Sequence, residues 1–176
     1  DVTFSRYLYI EEDDFSENPP PKFFRLKPGG EVRLMGAYII RCNEVVKDEN
    51  GNIKRILCTA DLETSNRNPA DGRKIKGTIH WLSADHCITA DVRLYDRLFT
   101  LENVADIPEN ESYLDYLNPE SLTVLKNCKL EPSLANAELN DRFQFVRLGY
   151  FCKDSHYENS FNRIVTLRDS YAKTQK

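Results

Sequence analysis

The sequence lacks the cysteine spacing of a zinc ribbon or a redox-active pair. Its 176 residues include five cysteines, and no two of them stand in a Cys-x-x-Cys arrangement. Scattered cysteines of odd number are typical of free thiols in a reducing cytosol. We therefore expect no disulfide framework. The cysteines are Cys42, Cys58, Cys87, Cys128 and Cys152.

Long hydrophobic runs and histidines are also scarce. No apolar run approaches the roughly 18 residues of a membrane span, and the sequence shows no signal-peptide pattern. We predict a cytoplasmic protein with no membrane partner. The three histidines, His80, His86 and His156, have no ligand-like neighbours at helical or hairpin spacing. Because zinc needs four organised ligands, we expect no metal site.

An excess of positive charge is absent as well. The chain has 24 basic and 28 acidic residues, a net charge of −4, so its total charge does not favour binding to nucleic acid. The acids are concentrated, however. Residues 11–17 contain five carboxylates and residues 102–120 contain six, and neither stretch contains a lysine or arginine. Local basic patches therefore matter more than the total.

The strongest basic patch lies between Lys22 and Arg41, where five basic residues accompany one acid, Glu31. Pro28-Gly29-Gly30 is a turn signal that predicts a hairpin, which would bring Arg25 and Arg33 towards each other. Guanidinium groups interleaved with aromatic rings suit unstacked bases and phosphates. The alternative is a hairpin whose arginines lie in water and whose aromatics fill the core.

The remaining pattern favours short strands. Asn50-Gly51 between two β-rich runs predicts a hairpin. Alternating or β-rich stretches predict strands at residues 4–10, 32–46, 53–60, 74–82, 88–99, 122–130, 143–152 and 161–167. Short helical turns are expected at residues 113–117 and 131–140. Many short strands separated by turn signals indicate an all-β sandwich or barrel.

Several stretches together resemble the C-terminal anticodon-binding region of glutaminyl-tRNA synthetases. They occur in that family's order from Phe4 to Lys173. FFRLKPGGEVRL and GTIHWLSA are more similar to the bacterial glutaminyl type than to the related tail of glutamyl-tRNA synthetases. The stretches are FSRYLYIEEDDF, PPPKFFRLKPGGEVRLMGAY, NPADGRKIKGTIHW, DVRLYDRLF, LNPESL, RFQFVRLGYFC and FNRIVTLRDSYAK.

The resemblance implies two antiparallel six-stranded β-barrels, similar to the ribosomal protein L25 fold. The distal barrel would comprise residues 23–89. The proximal barrel would comprise residues 1–22 and 90–176, with its first strands upstream of Asp1 and therefore truncated here.

The resemblance also implies a role in binding rather than catalysis. The family joins glutamine to tRNA(Gln) with ATP and Mg, but no His-Ile-Gly-His-like or Lys-Met-Ser-Lys-Ser-like motif occurs in these residues. We therefore expect no catalytic residue and no cofactor in this chain. Its expected partners are tRNA(Gln), with the anticodon bases splayed out, and the catalytic domain of the same enzyme, but not DNA.

In the basic segment, Arg25 and Arg33 match arginines that the family uses to read anticodon bases. Lys22 matches a phosphate or base contact. An arginine fork can bind two acceptors on one base edge, which adds geometric selectivity to charge. Met35 departs from the family pattern, which often has arginine there, so the resemblance implies that one base contact is missing or replaced by van der Waals packing.

Towards the C-terminus, Gln144 and Arg147 match family positions that read bases from the FQFVRLGYF strand. Gln offers both a donor and an acceptor to a base edge. Val146 departs from the glutamate that is frequent in the family at this position, so we expect that pocket to differ in detail. Arg168 matches a family arginine, with an ion pair to Asp169 as an equal alternative.

Two other functions remain open. The chain could be the same tail of a glutamyl-specific relative, which tRNA charging by the whole protein would distinguish. It could also be a protein-binding β-barrel with no RNA role, since the acidic net charge permits this. A gel shift with tRNA against an unrelated RNA of equal length would separate these classes.

Overall fold

The regular elements of the described chain are β-strands and short 3₁₀ helices. The structure is a computed structural model, and it describes residues 3–65 and 67–167. Each 3₁₀ helix contains three to five residues, so the predicted all-β class is confirmed. None of the helices in this part of the chain has the length and apolar character needed to cross a membrane.

Eleven strands occur in the described residues. They are β1 (Leu8–Ile10), β2 (Glu31–Leu34), β3 (Ile39–Lys47), β4 (Ile53–Asp61), β5 (Thr78–Ile79), β6 (Trp81–Ser83), β7 (Ile88–Tyr95), β8 (Leu122–Leu130), β9 (Arg142–Phe145), β10 (Gly149–Lys153) and β11 (Ser160–Val165). The 3₁₀ helices are Glu12–Asp14, Leu62–Thr64, Val104–Asp106, Tyr113–Tyr116 and Pro132–Asn136.

The chain forms two compact units, residues 1–86 and residues 87–176. The first contains β1–β6 and the second contains β7–β11. In the first unit β1 pairs with β6, and its Leu8 and Ile10 pack against the core of that unit. The predicted barrel boundaries stay a prediction.

The first unit consists of a four-stranded sheet in the order β4-β3-β2-β5 and the antiparallel pair β1-β6. Along β2, Val32 and Leu34 are buried while Glu31 and Arg33 are only half-buried, as the period of a strand requires. The buried residues of this core are Leu26, Val32, Leu34, Ala37, Ile40, Cys42, Ile79 and Trp81.

The predicted hairpin at Asn50-Gly51 is confirmed, and it joins β3 to β4. Gly51 has φ of +83°, a conformation that glycine adopts without steric cost. Asp48 Oδ1 accepts hydrogen bonds from the backbone N–H groups of Asn50 (2.9 Å) and Asn52 (2.8 Å). These bonds, with that from Asn52 largest, lower the pKa of the Asp48 carboxyl.

The predicted hairpin around Pro28-Gly29-Gly30 is wrong. Strand β2 pairs with β3 on one side and with β5 on the other, so both of its edges are occupied. The residues before the turn are not a strand. Instead, Leu26 donates a backbone hydrogen bond to the Asp14 carbonyl (3.0 Å) and accepts one from Ser16 (3.2 Å).

Gly77 holds this irregular segment against the sheet. A Cβ atom at residue 77 would overlap the carbonyl oxygen of Phe24 and lie 3.1 Å from Val32 Cγ2. The Gly77 carbonyl accepts a hydrogen bond from the Arg33 backbone N–H (3.0 Å). Only a residue without a side chain fits this approach, so Gly77 fixes where residues 22–26 lie.

The second unit contains one five-stranded sheet in the order β8-β7-β11-β10-β9. The predicted strand at residues 122–130 is confirmed as β8. The predicted single strand at 143–152 is wrong, because it turns back between β9 and β10. Arg147 at this turn has φ of +68°, and Leu148 donates a hydrogen bond to the Phe145 carbonyl (2.9 Å).

The described sheets are open rather than closed barrels. The first unit has six described strands in two sheets, and the second has five in one sheet. The predicted antiparallel arrangement is wrong at two pairs, since β2-β5 and β7-β11 are parallel. In both pairs the two strands are distant in sequence, so no tight turn imposes antiparallel pairing on them.

A buried ion pair anchors the second unit. Arg93 Nε lies 3.9 Å from Asp154 Oδ2, with the two side chains 11% and 4% exposed. The Arg93 guanidinium lies 3.6 Å from the Tyr157 ring centroid. Asp154 Oδ1 accepts backbone hydrogen bonds from His156 (2.7 Å) and Tyr157 (2.9 Å). Burial raises the pKa of Asp154, but these bonds, a bond to Asn162 and the Arg93 charge outweigh it and hold the pKa below its ordinary value.

We predict that Asp154→Asn lowers the free energy of unfolding by about 2 kcal/mol at pH 7. The folded-state pKa is lowered, so this stabilisation is complete above the unfolded-state pKa and is lost as the pH falls through the folded value. In urea unfolding, the difference in free energy of unfolding between wild type and Asp154→Asn should therefore shrink below about pH 4. Exposed Asp85→Asn is the control, and a difference for Asp154→Asn that is constant with pH would contradict the assignment.

We also predict that Gly77→Ala destabilises the protein by more than about 2 kcal/mol, because the added methyl group overlaps the Phe24 carbonyl. Gly51→Ala is the matched control, since a Cβ atom there meets nothing within 4 Å and only the positive φ is strained. That strain costs about 1 kcal/mol. If Gly77→Ala and Gly51→Ala lower the free energy of unfolding equally in denaturant titrations, the close approach at Gly77 is refuted.

Candidate nucleic-acid interface

Residues 22–26 form the first part of the candidate interface. Lys22 is exposed and has φ of +66° at the end of a turn in which Phe23 donates a hydrogen bond to the Pro20 carbonyl (3.2 Å). Leu26, four residues later, is buried in the core of the first unit. The segment is therefore fixed at both ends, while Lys22, Phe24 and Arg25 keep solvent exposure.

Arg25 is held by acidic residues of the first 3₁₀ helix. Its Nε lies 3.3 Å from Oδ1 of the fully buried Asp14, and its Nη1 donates to the Asp13 carbonyl at 2.7 Å. The side chain remains 32% exposed. The guanidinium is thus oriented by two acceptors while part of the side chain stays accessible to a ligand, which suits recognition of an acceptor on a base edge.

Arg33 is engaged differently. Its Nη1 donates to the backbone carbonyls of Thr64 (3.0 Å) and Ala37 (3.3 Å), and its Nη2 donates to the backbone carbonyl of Arg67 (2.6 Å). Thr64 is buried, and its Oγ1 accepts from the Ile39 backbone N–H at 2.9 Å. Arg33 therefore ties the loop after β4 to the sheet. Among the described residues, no contact joins it to Arg25.

A second arginine, which sequence reasoning did not single out, fixes the rest of that loop. Arg73 bonds to Asp61 (2.7 Å), Asp71 (2.5 Å) and Glu31 (3.1 Å). These carboxylates, with Asp61 first, raise the pKa of the Arg73 guanidinium. The only sequence signal was the stretch NPADGRK. Because three carboxylates surround Arg73, it is a structural centre rather than a phosphate site.

Exposed Arg41 lines an open groove of about 590 Å³ along β3 and β4. Glu31 and Asp61 line the same groove, and Asn43 there donates to Thr59 Oγ1 at 2.5 Å. Carboxylates of this kind repel phosphate, so the groove does not favour an RNA backbone.

Gln144 lies on β9 in the second unit. It is exposed, and its cross-strand neighbour on β10 is exposed Tyr150. Phe143 and Phe145 point to the opposite face and pack against that unit's core. An amide can hydrogen-bond the edge of a base, and the exposed ring beside it can stack on the face of that base. Tyr150 was missed because the sequence pattern does not show the hairpin register that places it there.

Arg147 lies at the turn between β9 and β10, not in a strand as predicted, and it is half-buried. The two positions that depart from the family pattern, Met35 and Val146, are both exposed. Arg168 lies outside the described residues, so its predicted role stays a prediction.

The described residues offer no group of three or more His, Cys, Asp or Glu side chains placed to hold a metal ion. The described acidic segment of the second unit, residues 102–120, is largely exposed. Its capping box at Ser112 and Asp115 satisfies backbone N–H groups, which is a structural role. Neither feature contributes to an interface with phosphate.

Two family models match this chain. A family model described as "tRNA synthetases class I (E and Q), anti-codon binding domain" matches residues 1–61, and a second model with the same description matches residues 78–154.

Similar full-length proteins are named glutamine–tRNA ligase. The protein of Stutzerimonas stutzeri is 53% identical over 97% of this chain and 31% of its own length. That of Pseudomonas putida is 54% identical over 97% of this chain and 30% of its own length, and that of Clostridium perfringens is 50% identical over 97% and 31%. The chain spans about a third of the length of these relatives. It belongs to the family of anticodon-binding domains of class I glutamyl- and glutaminyl-tRNA synthetases.

Proposed function

We propose that this chain binds the anticodon loop of a glutamine tRNA and reads its unstacked bases. The observation that carries the proposal is the geometry of Arg25, whose guanidinium is held by Asp14 and Asp13 while its side chain remains part-exposed. A base edge in a loop offers acceptors that an A-form groove hides. Lys22 beside it supplies a positive charge for the backbone.

Gln144 and Arg147 are proposed as a second reading surface, with Tyr150 as a stacking neighbour. Arg168 is kept in the proposal from the family resemblance alone. Arg33 is also kept as a reader, although its guanidinium bonds to three carbonyls here. To contact a base it would have to exchange one of those bonds, which makes its contribution dependent on the loop at residues 64–67.

The whole protein is proposed to be a cytoplasmic glutamine–tRNA ligase that uses ATP and Mg. This chain would supply no catalytic residue, and its partners would be tRNA(Gln) and the enzyme's own catalytic domain, not a membrane or DNA. The distal barrel of the anticodon-binding region would comprise residues 23–89, and the proximal barrel would comprise residues 1–22 and 90–176. The relatives are named glutamine–tRNA ligase, which favours this function over a glutamyl-specific one.

The proposed function predicts preferential binding to a glutamine tRNA. Fluorescence anisotropy with the chain should give weaker binding when the anticodon of that tRNA is substituted, since each lost base contact costs about 1–3 kcal/mol. An unrelated RNA of equal length is the control. Equal affinity for all three RNAs would contradict the proposal and leave a protein-binding role.

We further predict that Arg25 and Lys22 differ in what they read. Arg25→Lys keeps a positive charge beside Asp14 but loses the planar fork. It should therefore lower the ratio of affinities for matching and anticodon-substituted tRNA by roughly 5- to 150-fold. Lys22→Gln should weaken all RNAs alike and reduce the slope of binding against salt by about one unit. Binding isotherms at several salt concentrations measure both effects.

The opposite assignment would follow if Arg25→Lys weakened matching and substituted tRNA by the same factor, because Arg25 would then contact only the backbone. Lys→Gln at exposed Lys54, on β4, is the control for the general loss of one positive charge. It should leave the anticodon preference unchanged.

The proposed division of labour also predicts that the purified chain has no glutamine-dependent exchange of pyrophosphate with ATP and no tRNA charging. These assays require the catalytic region that the relatives' remaining length would contain. Activity above a mock preparation that is abolished by a substitution in this chain would contradict the assignment.

A further inference from the structure

Phe24 is an exposed aromatic side chain on an otherwise fixed segment. Half of it is accessible (50%), although Leu26, two residues later, is almost fully buried. A single exposed apolar side chain needs no explanation by itself. Phe24 differs because its own backbone carbonyl lies against Gly77, so that the main chain carrying the ring is held in place.

Lys76 adds a charge to this ring. Its Nζ lies 5.4 Å from the centroid of the Phe24 ring, within the range of a cation–π contact. Because Lys76 directly precedes Gly77, the close approach at Gly77 brings the Lys76 backbone beside the Phe24 segment. The pair is therefore an exposed ring with a cation at one face, assembled from two segments about fifty residues apart.

The segment that carries Phe24 is basic in sequence, and its Arg25 is paired with the neighbouring Asp14; the basic segment favours RNA over an apolar protein surface. Residues 22–30 contain three basic residues, Lys22, Arg25 and Lys27, and no acid. Aromatic rings in a positively charged setting bind unstacked bases, since every base has a π-face and its phosphate needs a cation. A protein partner would find a single isolated apolar side chain here, which is a poor anchor.

We propose that the Phe24 ring stacks on one unpaired base of the bound anticodon loop and that Lys76 contacts the adjacent phosphate. This inference rests on the proposed function and adds to it a contact that does not depend on base identity. Arg25 would select the base edge, while Phe24 and Lys76 hold an extruded base near that guanidinium.

The test uses the 176-residue chain with an anticodon stem–loop of a glutamine tRNA and a series of loops in which each base in turn is abasic. Phe24→Leu should weaken binding to the intact loop by roughly 5- to 150-fold, the range for loss of one stacked base. Phe24→Trp should retain affinity. For one abasic loop, wild type and Phe24→Leu should bind equally, because the stacking partner is already absent.

Exposed Tyr113, in the acidic segment, supplies the matched control. Tyr113→Leu should bind every loop as wild type does. Lys76→Gln should lower the slope of binding against salt by about one unit. Unfolding midpoints confirm that each variant is folded.

The outcomes separate this inference from the proposed function. If wild type distinguishes the anticodon but Phe24→Leu binds like wild type, the stacking role is overturned and the function stands. The stacking role is also overturned if Phe24→Leu weakens all abasic loops by the same factor. If wild type shows no anticodon preference, the proposed function fails and this inference fails with it.

Discussion

Among the described strands, none pairs with segment 22–26, so other contacts must fix its backbone. Leu26 exchanges hydrogen bonds with the chain around Asp14 and buries its side chain in the core. Gly77 closes on the Phe24 carbonyl from the other side. Since buried backbone groups need partners, these contacts replace the ladder of a strand and leave the polar and aromatic side chains directed outward. The candidate interface of the first unit depends on this arrangement.

Three arginines of the first unit differ in the acceptors that they bind. Buried Asp14 is costly unless paired, and Arg25 beside it offsets that cost while remaining part-exposed. Arg33 instead directs its donors to backbone carbonyls, and Arg73 bonds to three carboxylates. Arg33 and Arg73 thus hold loops, whereas Arg25 is oriented beside Asp14 and remains part-exposed. Charge count alone cannot distinguish these roles.

Sequence reasoning succeeded where the signal was local. Asn50-Gly51 set the β3–β4 hairpin, because the turn fixes its own register. The predicted hairpin before β2 was wrong, because the neighbour of β2 on that side is β5. This parallel partner lies far along the chain and is placed by Gly77. Sequence reasoning failed again at Arg147, which takes a left-handed conformation without being glycine and so hides a turn inside an alternating pattern. The family resemblance supplied the site residues, but not which of their donors were already engaged.

The central claim is that the chain meets RNA through residues 22–26 and the β9–β10 hairpin. Hydrogen exchange measured by mass spectrometry, with and without a glutamine tRNA, tests it most directly. The account predicts slower exchange at residues 22–26 and 142–153, and no change in the acidic segment at 102–120. Protection of the acidic segment with none at the two proposed surfaces would contradict it.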